Sequence, residues 1–329
     1  MRAKMKTLVL PGGKFTTQLG MGSAKLMGTS ERGGPIALLE SAFDAGIRHF
    51  DTAPVYGMGH AEECIGKFLA RHKGDVSITT KYGLAPPKYT SAFKAVRKLL
   101  KPLILAVPGL KKRAQSVAVS VTKSDFVPSF TVAGARESLD RSLRLLQVER
   151  IDIWLLHEPA ASDVSDDSLL RFMEDAVLAG KIGSFGVGSE ARKISDIYKQ
   201  SPTYCAVIQC EWDPACVKEE YPDAFRIFHQ VIQRWPPRIA EQMRRDPKQG
   251  ETWSSEVNLD LMAPGVLQDL ALRAGLITNP EAGILFASSR KQNIVRNAAV
   301  AQDTSLDAPA LRLLGILRRE MPLLRKIAT

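Results

Sequence analysis

Two hydrophobic periods take turns along this chain. Short apolar runs with β-prone residues are followed by stretches in which apolar residues recur every three or four positions. The runs at His49 to Asp51, Val76 to Thr80, Ile151 to Leu156, Ser184 to Val187, Ala206 to Gln209, Arg226 to Phe228 and Gly283 to Phe286 read as strands. Between them the spacing predicts helices over Pro35 to Ala45, Ala61 to Arg71, Thr131 to Leu146, Asp167 to Leu178, Ala191 to Tyr198, Val266 to Ala274 and Asn293 to Val300, with a last one over Ala308 to Arg319. Ahead of these, Lys6 to Leu10 and Phe15 to Leu19 flank Pro11-Gly12-Gly13-Lys14, a hairpin signal. A further strand and loop follow at Leu19 to Ala24.

Ile151 to Leu156 is almost wholly apolar, as expected of a strand in a parallel sheet covered on both faces. An unbroken series of about eight strand–helix units argues for one parallel α/β domain over residues 1–329. A doubly wound sheet is the competing arrangement. No G-x-G-x-x-G follows the first strand, so its usual nucleotide signature is missing, and Gly57-x-Gly59 is too short to replace it. Two long segments fall outside the alternation, 85–127 and Asp213 to Met262. In the second, Trp235-Pro236-Pro237 and Asp246-Pro247 read as interruptions of regular structure.

Composition narrows the classes. The chain has 329 residues, 45% of them apolar, enough for a full core. The longest apolar candidate, Leu99 to Leu110, is broken by Lys101, Pro102, Pro108 and Gly109, short of a membrane span. The basic start has no apolar segment behind it, so no signal peptide is expected and the location reads as cytoplasmic. Cys64, Cys205, Cys210 and Cys216 match no zinc spacing and read as structural thiols, with no metal site. Net charge is +10, but residues 85–127 hold nine basic residues against Asp125, a local excess of eight. The charge therefore does not make the whole fold a nucleic-acid binder. Ser91 to Leu105 draws as a basic amphipathic helix with Phe93, Val96, Leu99, Leu100 and Leu103 on one side. It is open as a solvated helix, as a contact to an anionic membrane surface, or as a cover for the substrate.

Three strands close on polar groups. Asp51 ends one, with Tyr56 shortly after; Lys81 ends the next; His157 ends the third. A parallel barrel carries its chemistry at the carboxyl ends of its strands, so these four would converge as a proton-transfer site built around a phenol.

In order and spacing these residues resemble the aldo-keto reductase family. Asp51 to Gly57 matches D-x-A-x-x-Y-G, Glu62 to Gly66 is similar to A-E-x-x-L-G, and Gly180 to Val187 resembles G-K-I-R-x-I-G-V. Thr79-Thr80-Lys81 and Leu155-Leu156-His157 match the lysine and histidine motifs. The resemblance implies a (β/α)8 TIM barrel that binds an extended NADPH or NADP+, with NADH or NAD+ as the alternative. It implies reversible reduction of aldehydes or ketones, or oxidation of an alcohol or sugar lactol, on a small-molecule substrate. Tyr56 would move the proton, Lys81 would lower the phenol's pKa, Asp51 would hold Lys81, and His157 would donate a hydrogen bond to the substrate oxygen. Cofactor contacts implied are Gly22, Ser23, Ser189, Gln209, Ser288, Arg290 and Asn297, with Phe228 in place of a ring-stacking tyrosine. Ala287 and Asn293 stand where a lysine and an arginine for the adenosine phosphate are usual, and Arg290 would supply the charge. Met27, Trp212, His229 and Trp235 are expected around the substrate. A redox-sensing binding protein and a peripheral membrane protein working through 85–127 are the other readings. The oligomeric state is open.

Overall fold

The computed structural model describes residues 5–84, 128–215 and 221–327. The basic segment 85–127, with the membrane and cover readings attached to it, and Cys216 lie outside the described residues.

Eight strands close into a barrel in which every neighbouring pair is parallel. They are β3 (Leu19–Gly22), β4 (His49–Asp51), β5 (Ser77–Tyr82), β6 (Ile151–His157), β7 (Ile182–Gly188), β8 (Val207–Glu211), β9 (Phe225–His229) and β10 (Gly283–Phe286), with β10 pairing back to β3. Helices α1 (Gly34–Asp44), α2 (Ala61–Leu69), α3 (Val132–Leu146), α4 (Asp167–Leu178) and α5 (Ala191–Gln200) follow β3 to β7 in turn. The TIM-barrel expectation is met.

An antiparallel hairpin, β1 (Thr7–Val9) and β2 (Phe15–Thr17), sits at the amino ends of the barrel strands. It is tied to the foot of β6, where Arg150 donates to the Gly12 carbonyl at 3.0 Å and Lys14 reaches Asp152 at 3.4 Å. Leu10, from its turn, packs with Ile153, Leu155, Val207, Ile227 and Leu285 inside the barrel. The second apolar layer lies between strands and helices and holds Phe50, Trp154, Phe228 and Phe286. Strand side chains alternate between these two layers because successive residues point to opposite faces. Opposite the apolar interior cluster, the bore is polar: His49 Nδ1 lies 2.8 Å from Ser77 Oγ and its Nε2 lies 3.3 Å from Thr79 Oγ1.

The segment Asp213 to Met262 departs from expectation. It carries α6 (Val231–Arg234), α7 (Pro236–Arg245) and α8 (Pro247–Val257). Pro236 and Pro247 each open a helix, where a fixed φ suits the first turn and the missing N–H costs nothing. Asp246 caps α8 by accepting the Gln249 N–H at 3.1 Å. The remaining helices are α9 (Val266–Thr278), α10 (Lys291–Val300) and α11 (Asp307–Leu324). The last runs past the expected Arg319 and takes Pro322 into its final turn. Helices α2 and α3 touch backbone to backbone: a Cβ on Gly66 would collide with the Leu145 carbonyl. Cys205 and Cys210 are buried and Cys64 half-buried, and burial pushes the Cys205 thiol up to about 12. Among the described residues no helix is long and apolar enough to cross a membrane.

Candidate active site

Strand parity decides what reaches the carboxyl end of the bore. Ile153 and Leu155 face inward, so His157 does as well. Val207 puts Gln209 inward, Ile227 does the same for His229, and His49 for Asp51. These side chains, with Tyr56 and Lys81, wall one cavity of about 500 Å³ at the end of the barrel where the strands finish. Tyr56 comes from the turn Tyr56–Gly59 after β4, in which Gly57 and Met58 both take left-handed backbone (φ 59).

Lys81 is buried and its Nζ donates to both oxygens of Asp51, at 2.7 and 2.8 Å, and to the Thr52 carbonyl at 2.9 Å. Gln209 Nε2 donates to Asp51 Oδ2 at 2.8 Å. That bond crosses the bore, because β4 and β8 stand opposite one another in the ring of eight. The Lys81 nitrogen lies 5.2 Å from the centre of the Tyr56 ring. The Tyr56 and His157 rings meet edge to face at 5.9 Å and 89°.

Burial pushes the Tyr56 phenol up, Lys81 pulls it down, and Asp51 pushes it up again, so the net direction is above its ordinary value of 10.0. Lys81 acts in the expected direction, by its charge and by a hydrogen bond to the phenol, but burial outweighs it. Burial works against the Lys81 ammonium, but Asp51 and then Tyr56 more than offset it, and its pKa rises. His157 is driven down to about 3 by burial and then by Lys81, so it is neutral near pH 7. Its Nδ1 is buried without a partner. A lone pair is the cheaper group to leave unpaired, which assigns the proton to Nε2. His229 is also lowered, by burial first.

Of the other expected residues, Gly22, Ser189, Gln209 and His229 line this cavity. Ser23 does not; it is buried and its Oγ donates to Thr52 Oγ1 at 2.8 Å. Phe228 points the other way, into the layer beneath the helices, because it is one residue out of phase with Ile227. The aromatic ring that β9 offers the cavity belongs to His229. Trp212 and Trp235 are core residues, the Trp235 indole donating to the Trp212 carbonyl at 3.2 Å. Met27 is partly exposed on the turn Leu26–Gly28, beside Gly57 and off the cavity wall. Ser288 and Arg290 lie where β10 passes into α10, and Asn297 follows further along that helix. Ser288 Oγ accepts the Arg290 N–H at 3.1 Å and Asn297 Nδ2 is buried without a partner. The neighbouring Lys291 N–H donates to Glu31 at 3.1 Å.

Lys25, Glu158, Gln230 and Gln233 also line the cavity and were not foreseen. Glu158 directly follows His157, and simple alternation would turn it away. Its backbone is left-handed (φ 61), which breaks the alternation. The only advance sign in the chain was an acid beside a strand-ending histidine.

Residues 18–227 match the family model described as Aldo/keto reductase family. The chain is 32% identical over 164 residues to a D-threo-aldose 1-dehydrogenase of Pseudomonas sp, covering 46% of this chain and 43% of that protein. It is 27% identical over 223 residues to a pyridoxal 4-dehydrogenase of Microbacterium luteolum, covering 63% and 62%. The matched region is thus less than two thirds of either relative. Among solved structures, a glycerol dehydrogenase from Gluconobacter oxydans superimposes with a TM-score of 0.67 at 19% identity, over 96% of both chains. An aldo-keto reductase from Klebsiella pneumoniae in complex with NADPH gives 0.57 at 19%, over 95% of both.

Proposed function

We infer that this chain, which belongs to the aldo/keto reductase family, is an NADP(H)-dependent oxidoreductase that interconverts a carbonyl compound and its alcohol. The observation that carries the reading is one cavity walled by Tyr56, Lys81, Asp51 and His157, with the phenol and the imidazole ring to ring.

The residues present suit a pyridine dinucleotide. Gly22 offers a wall without a side chain, where a Cβ would have nothing nearer than the Phe286 carbonyl at 3.6 Å. Ser189, Gln209 and His229 would hold the nicotinamide end. Ser288, Arg290 and the unpaired Asn297 amide would hold the far end, where loops after late barrel strands and a helix start favour anions. When bound, the dinucleotide supplies the hydride. The chain's own residues handle the proton. Tyr56 protonates the carbonyl oxygen in reduction and takes the proton back in oxidation. His157, neutral, donates from Nε2 to the same oxygen and fixes its position. Lys81 favours the phenolate and returns the charge balance, while Asp51 and Thr52 keep the ammonium aimed.

The test is the absorbance of the reduced dinucleotide with a panel of aldehydes and ketones. Tyr56→Phe is expected to lose about 10²–10⁴-fold in kcat with its fold intact. Equal turnover in the two proteins would remove Tyr56 from the chemistry. Arg290→Ala is expected to weaken NADPH more than NADH, read from paired titrations.

A further inference from the structure

Glu158 has features that the proton chemistry does not use. It sits next to His157, in strained left-handed backbone, with its side chain about one third exposed into the cavity. Its Oε2 accepts from Ser189 Oγ at 2.8 Å and from Lys193 Nζ at 3.2 Å. Among the described residues no hydrogen bond reaches Oε1. The carboxylate is therefore fixed on one side and open as an acceptor on the other. An ionised carboxylate can only accept. The partner it suits is a donor, and a neighbouring anion is repelled. Gln230, Gln233 and His229 line the same cavity with further hydrogen-bonding groups.

We propose that Glu158 selects the substrate: it accepts hydrogen bonds from hydroxyl groups near the reacting carbon, favouring polyhydroxylated carbonyl compounds and disfavouring those that carry a carboxylate on the same short chain. This rests on the reading of the cavity as a carbonyl site. Because Ser189 and Lys193 already hold the carboxylate, a substrate need not order it on binding, and the contact acts on selectivity.

The experiment compares glyceraldehyde, butanal and succinic semialdehyde in the wild type, Glu158→Gln and Glu158→Gly. The glycine variant guards against misfolding, since glycine adopts this backbone without strain. In both variants the ratio of kcat/KM for glyceraldehyde over butanal is expected to fall about tenfold, through KM. The ratio for succinic semialdehyde over butanal is expected to rise by a similar factor. A residue that only anchors Ser189 and Lys193 would change all three substrates by one factor, and unchanged ratios would overturn the proposal. Failure of the folded wild type to turn over any of the three would instead overturn the carbonyl reading beneath it.

Discussion

Tyr56 sits between two opposing influences, and their balance sets a measurable pH dependence. Burial outweighs Lys81, so the phenol keeps its proton well into the alkaline range. Reduction, which needs the proton, is expected to hold level across neutral pH and fall only in alkali. Alcohol oxidation, which needs the phenolate, is expected to keep rising over the same range. Rates of both directions against pH would check this, and an oxidation rate that levels off below pH 7 would contradict it. Lys81 is the more fragile residue. Lys81→Met leaves the Asp51 carboxylate buried with Gln209 as its one remaining hydrogen-bond donor among the described residues, a loss of about 3–5 kcal/mol visible as a large fall in melting temperature. Taken singly, each of the four central side chains has an ordinary structural use; they were legible together, from their order and spacing at the ends of successive strands and the family motifs these resemble. Phe228 and His229 were not told apart, because a single sequence does not fix which phase of a short strand faces inward.

Elements show a different limit. Proline was read as a stop in Trp235-Pro236 and Asp246-Pro247, yet at both places it starts a helix. Before Pro247 the sign to weigh was Asp246, whose side chain caps the helix; Trp235 before Pro236 makes no such cap and gave no sign. Asp246→Ala is expected to cost about 1 kcal/mol, measured by denaturation, and to leave the chemistry of the cavity untouched. Asp246→Asn, which keeps an accepting oxygen, should recover most of the loss. The helices α3, α4 and α5 were legible to within a residue or two, since each carries an unbroken apolar stripe. The turn that brings Glu158 into the cavity was not, because left-handed backbone at a glutamate leaves no compositional trace.

At the scale of the molecule, closure of the sheet followed from the unbroken alternation of strand and helix together with the motifs at strand ends. What fills the bore did not follow from either. His49, set among Ser77 and Thr79, is driven by burial from its ordinary 6.5 down to about 4, and His157 to about 3. Both are neutral in the folded state, while the unfolded chain takes up protons near pH 6.5. Stability from these groups is complete above that pH and is lost as pH falls toward 4, at about 1.4 kcal/mol per pH unit for each histidine. Chemical denaturation between pH 6 and 4.5 should therefore give a shallower slope in His49→Gln than in the wild type. Parallel curves would assign the acid sensitivity elsewhere.

The Gln209–Asp51 bond acts as a tie-rod between facing walls of the cylinder. It ties the calibre of the shaft at that level to one carboxylate, which also anchors the lysine. Removing that side chain would take away the brace and the ammonium's mooring in a single event, so shape and reactivity here are expected to fail together.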